Sequence, residues 1–133
     1  MKIILHSDRT IGEIKEEFNR VYPFLKIEFF VKKNEPGKSS PGSDEIDPSI
    51  ELIDVSGVLK EGAIDINPTD TVKEVEQKFQ YQYGLPVQIF RKQKGIWLET
   101  AITDDLTLQE QNIWGREASK PLKLKIEGRY YWK

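Results

Sequence analysis

Apolar and polar positions along the chain follow two periods, one for helices and one for strands. In "MKIILHS" (residues 1–7) β-branched and aliphatic side chains cluster, which predicts a short strand. Ile11, Ile14, Phe18 and Val21 then recur at helical intervals and make one apolar stripe. Thr10 and Glu13 ahead of that stripe have the T-x-x-E spacing of a capping box, in which hydroxyl and carboxylate serve unbonded backbone N–H groups reciprocally. Pro23 predicts the helix stop, because the residue before a proline avoids the helical region. In "LKIEFFV", Leu25, Ile27, Phe29 and Val31 alternate with Lys26, Glu28 and Phe30, as on a strand with one strongly apolar face.

The pattern then lapses. Residues 34–48 hold Pro36, Pro41, Pro48, Gly37 and Gly42 with several serines and almost nothing apolar. So little burial does not offset the entropy of ordering the segment, and a flexible loop is predicted. "IELIDV" (residues 50–55) and "AIDIN" (residues 63–67) read as the two strands of a hairpin. After Pro68 a second T-x-x-E, Thr71 with Glu74, precedes the stripe Val72, Val75 and Phe79, and Gly84 stands where that helix would end. "PVQIF" and "GIWLE" are short strands joined by "RKQKG". "DDLTLQEQNI" reads as a short helical turn, "LKLKI" as a last strand and residues 128–133 as a tail.

The two helix entries echo each other at one offset, Thr10 to Thr71, with Ile11, Glu13, Ile14 and Phe18 matched by Val72, Glu74, Val75 and Phe79. Duplication and convergence on a common capped-helix pattern both account for this, and two copies are too few for a solenoid.

From residue 50 onward the small motifs resemble the ubiquitin-like, or β-grasp, family. "PTDTV" (residues 68–72) is similar to the family's helix entry, and "GLP" (residues 84–86) to its helix exit. "IF" (Ile89, Phe90) falls in the following strand, and "LTLQEQNI" is similar to the family's late Thr-Leu-x-x-x-Asn-Ile turn. The resemblance implies an α+β β-grasp core over residues 49–127, extended by a β-α-β unit over residues 1–33 that adds to the same sheet or covers its face. Residues 1–49 have no counterpart in the family, and the loop from Arg91 to Leu106 is longer. A family modifier ends in Gly-Gly, whereas here Gly128 is followed by "RYYWK", so conjugation is not expected.

Composition narrows the chemistry. The 133 residues fit one composite domain. With no cysteine, thiolate metal sites, disulfides and cysteine nucleophiles are excluded. Basic and acidic residues number 20 and 22, for a net charge of −2, which gives no general field for nucleic acid. No apolar run reaches the length of a signal-peptide core or a membrane span, so a cytoplasmic protein without membrane contact is the expectation. His6, the single histidine, has no partner imidazole and reads as an ordinary side chain. Asp104 and Asp105 read as helix-start residues near a positive dipole end. No nucleophile elbow, phosphate loop or dinucleotide fingerprint occurs, so neither a catalytic set nor a cofactor is expected.

A binding role is the better expectation. Strand alternation puts Phe90 and Trp97 on the sheet face away from the second helix, either open to a partner protein or covered by residues 1–33 or by "RYYWK". The basic run Arg91, Lys92 and Lys94 opposes Glu99, Asp104, Asp105 and Glu110, which offers weak head-to-tail self-association. The chain thus reads as a non-catalytic interaction or scaffold module. A carrier or modifier protein, or an accessory subunit of an enzyme complex, is the alternative.

Overall fold

A computed structural model describes residues 1–31, 45–56, 61–120, 123–126 and 129–132. The chain opens with β1 (Lys2–Leu5), which buries Ile3 and Leu5 and turns Lys2 and Ile4 outward. Helix α1 (Ile11–Val21) follows, burying Ile11, Ile14 and Phe18. Tyr22 leaves the helix at φ −121° and ψ 82° immediately before Pro23, as the proline ring requires. Strand β2 (Leu25–Phe29) buries Leu25, Ile27 and Phe29 on its inner face.

After the short helix α2 (Leu52–Ser56) come β3 (Gly62–Asp65) and α3 (Val72–Tyr83). Val72, Val75 and Phe79 form the buried stripe of α3, and Gly84 ends it in the left-handed region at φ 64°. Strand β4 (Val87–Gln93) and β5 (Ile96–Glu99) form a hairpin through Lys94 and Gly95, both with positive φ. Such a two-residue turn matches the natural twist of paired strands. Helix α4 (Leu108–Ala118) packs against β4, and β6 (Lys123–Ile126) pairs with β7 (Arg129–Trp132).

All strand pairings among the described residues are antiparallel. β1 lies beside β3, with Ile3 opposite Ile64, and the second sheet has the order β2-β4-β5, with Ile27 opposite Ile89. A single apolar core joins Ile3, Leu5, Phe18 and Phe29 of the first half to Ile64, Ile66, Phe79 and Ile89 of the second. Phe29 and Phe79 meet edge to face at 5.7 Å between ring centres, a favoured aromatic geometry.

Several expectations are corrected. Residues 50–55 do not form a hairpin strand. Leu52–Ser56 is helical, and β3 pairs with β1 instead. The backbone before α2 is drawn to the start of α1, where Ile11 N donates to Ile50 O at 2.9 Å and Leu52 N donates to Arg9 O at 2.9 Å. The strand-strand pair expected before the second helix is therefore absent as a local unit. Of the two placements expected for residues 1–33, addition to the sheet is the one found for β2, which pairs with β4 at the edge of the β2-β4-β5 sheet, while β1 pairs with β3. The late helical turn is a helix of 11 residues, and residues 129–132 of the tail form a strand. Most of the expected loop lies outside the described residues. Its end does not, because Ile46 N donates to Phe29 O at 2.9 Å and Pro48 O accepts from Gly12 N at 2.8 Å.

The sequence echo extends into the backbone hydrogen bonds. Ile11 N to Ile50 O, Gly12 N to Pro48 O and Leu52 N to Arg9 O recur as Val72 N to Leu106 O, Lys73 N to Asp104 O and Leu108 N to Asp70 O. The isolated bridge between Thr10 and Glu51 recurs between Thr71 and Thr107. Ile46 N to Phe29 O recurs as Thr100 N to Ile89 O. Matched residues also face each other across the strands, Ile3 against Ile64 in one sheet and, after the helices where the offset is one residue shorter, Glu28 against Gln88 in the other. Self-facing pairs of this kind are the mark of a two-fold relation between halves, here β1-α1-β2-α2 and β3-α3-β4-β5-α4.

Candidate interaction face

The three-stranded sheet has one face in the core and one turned away from it. Alternation along β4 sends Ile89 inward and Phe90 and Lys92 outward. In the pairing register, Lys26 and Glu99 flank Phe90, and Trp97 lies opposite Lys92. These five side chains therefore share the outer face.

The cations on this face lie over the rings. Lys26 Nζ is 5.2 Å from the Phe90 ring centre and 5.1 Å from that of Trp97, and Lys92 Nζ is 5.8 Å from Trp97. At such separations an ammonium is attracted to the negative face of the ring. Glu28 anchors the arrangement. It is only 4% exposed, accepts from Lys15 Nζ at 2.8 Å and has Lys26 Nζ 3.4 Å from its second oxygen. Two ammonium groups compensate one buried carboxylate, as its burial demands.

The five residues expected to bind a partner divide. Phe90, Lys92 and Trp97 come together, and both rings are partly exposed. Arg91 is on the opposite face, where its Nη1 donates to Gln111 Oε1 at 2.7 Å and its guanidinium lies 5.3 Å from the Trp114 ring centre. It holds α4 to β4. Lys94 sits exposed in the hairpin turn, its N–H donated to Ser119 Oγ at 3.2 Å. Lys26 and Glu28 belong to the face as well. Their alternation in "LKIEFFV" marked them as outward, but only pairing of β2 with β4 sets them beside Phe90.

The other singled-out residues lie elsewhere. His6 is exposed, hydrogen-bonded to Asp8, with Nε2 3.7 Å from Glu61; the Asp8 contact raises its pKa above the ordinary histidine value. Asp104 and Asp105 precede α4 without entering its first turn, where Glu110 stands instead. Thr107 and Glu110 make the full reciprocal capping box. At Thr10 and Thr71 the hydroxyl accepts the N–H of Glu13 and Glu74, while Glu13 turns to Arg9 at 3.4 Å. Among the described residues no helix is long and apolar enough to cross a membrane.

Comparison with known proteins finds no matching family model, no matching curated protein and no matching solved structure.

Proposed function

We propose that this chain is a non-catalytic interaction module of ubiquitin-like type, which binds a partner protein through the outer face of β2-β4-β5. The carrying observation is the placement of Lys26 and Lys92 over the partly exposed rings of Phe90 and Trp97. Aromatic anchors ringed by charge are the usual centres of binding energy in protein interfaces. The helix entry at residues 68–72, the exit at residues 84–86 and the turn at residues 106–113 support the ubiquitin-like part of the reading. Ammonium groups beside the rings favour a partner surface that combines apolar with acidic side chains.

Affinity capture from extract of the source cell, run in parallel with wild type and a Phe90→Ala/Trp97→Ala variant, tests this. One or more specific partners should bind wild type and be depleted at least tenfold on the variant, the loss expected when an interface anchor is truncated. The variant must retain wild-type circular dichroism. An identical set of bound proteins on both columns would refute the reading.

A further inference from the structure

A second surface lies where β5 ends and β4 continues alone. Phe30 N donates to Pro86 O at 2.9 Å and Lys92 N donates to Phe24 O at 2.8 Å. Those bonds set the phase of the β2–β4 ladder, so even-numbered residues of β4 bond to β2. Odd-numbered Val87, Ile89 and Arg91 direct their N–H and C=O groups to the other side. There Leu98 lies opposite Arg91, and Thr100 donates to Ile89 O through both its N–H, at 3.4 Å, and its hydroxyl, at 2.7 Å. The chain then turns away, with Thr103 N donating back to Thr100 O at 3.1 Å.

At this point a side chain stands in for a strand. Ile89 N donates to Glu76 Oε2 of α3 at 2.9 Å, where a neighbouring strand would have offered a carbonyl. One residue pair further on, Val87 points its N–H and C=O the same way, and among the described residues no strand lies alongside. This free edge is one wall of a cavity of about 190 Å³, whose other wall includes Glu76, Gln77, Gln80 and Tyr81. Among the described residues Glu76 makes no ion pair: it is largely buried, accepts the Ile89 N–H and has the carboxylate of Asp104 as a neighbour. Lys73 borders the cavity without pairing to it.

The matching positions in the other half make other contacts. Lys15, at the position of Glu76, is committed to Glu28 at 2.8 Å, and Asn19, at the position of Gln80, donates to Leu25 O at 2.8 Å. The two-fold relation is thus broken where the cavity opens.

We propose that this cavity docks an extended peptide segment carrying a lysine or arginine. The segment adds beside β4, exchanging two backbone hydrogen bonds with Val87, and its cation pairs with Glu76. An exposed strand edge supplies the backbone affinity of such strand addition, and an adjoining pocket supplies the choice of side chain. Charge complementarity selects the cation: Glu76 on the cavity wall has the carboxylate of Asp104 as a neighbour and makes no ion pair among the described residues, and Lys73 is the one cation of the lining. This site is separate from Phe90 and Trp97 and does not depend on the function proposed for them.

Titration of the ¹⁵N-labelled full chain with a blocked hexapeptide of alternating valine and arginine tests the proposal. Dose-dependent amide shifts are expected at Val87, Gln88 and residues 76–81. The same peptide with glutamate for arginine should bind at least tenfold more weakly. Glu76→Gln should weaken the arginine peptide about tenfold, and Val87→Pro, which removes the outward N–H, should abolish the shifts. If Val87→Pro disturbs the strand, Glu76→Gln alone decides. No shift at Val87 up to millimolar peptide, an equal response to both peptides, or shifts centred on Phe90 and Trp97 would each overturn the proposal.

Discussion

Glu76 shows how a single residue can be set against its own fold. Burial is the main cause that pushes its carboxyl from the ordinary 4.5 up to about 7; Asp104 adds to the rise and the Ile89 N–H opposes it. The folded chain therefore holds this proton more tightly than the unfolded chain does. Stability is fullest below the ordinary carboxyl pKa and declines as pH rises through about 7. Glu76→Gln keeps an acceptor for Ile89 N–H and removes the charge. It should raise the melting temperature at pH 8 and change it little at pH 4. The full shift corresponds to roughly 3 kcal/mol, and residual solvent contact makes the gain smaller than that. Equal melting shifts at both pH values would show that the carboxylate is not penalised. Nothing in "KEVEQ" distinguishes Glu76 from Glu74, because one is made unusual only by a sheet edge brought from elsewhere in the chain.

Among the elements, the two halves use one salt bridge with its charges reversed. In the first, Arg9 donates to Glu17 Oε2 at 2.8 Å and to Ile4 O at 3.0 Å. In the second, Lys78 donates to Asp70 Oδ2 at 2.8 Å and to Asp65 O at 2.7 Å. Asp70 matches Arg9, Lys78 matches Glu17 and Asp65 matches Ile4, all at the offset that relates Thr10 to Thr71. Each bridge ties the loop before a helix to that helix and to the preceding strand. Glu17→Lys alone sets two cations together and should lower stability by about 0.5–1 kcal/mol, the scale of a partly exposed pair. Adding Arg9→Asp rebuilds the second half's arrangement and should recover most of that loss in urea denaturation. A double variant no more stable than the single one would show that the bridge is not transferable. Helix starts were legible at this scale because caps and stripes are local. Residues 50–55 were misread because their aliphatic and β-branched content fits a strand, while hydrogen bonds to the start of α1 decide for a helical turn.

Across the whole molecule the halves are interlocked. Among the described residues β1 pairs with β3 alone, β2 pairs with β4, and the core takes large side chains from both halves. Removing residues 1–31 strips Ile3, Leu5, Ile11, Ile14, Phe18, Leu25, Ile27 and Phe29 from that core and leaves β3 without its partner. The remainder should show no cooperative thermal unfolding by circular dichroism. A sharp transition would mean that the second half folds by itself. The sequence alone determined the positions of α1 and α3, the β4–β5 hairpin and the outward side of Phe90 and Trp97, since each rests on spacing, capping or alternation within a few residues. Tertiary structure decided which strands pair, that Lys26 joins the two rings while Arg91 does not, and that Val87 keeps an open edge beside Glu76. Those outcomes depend on residues about sixty positions apart meeting in register, and hydrophobic period does not encode a partner.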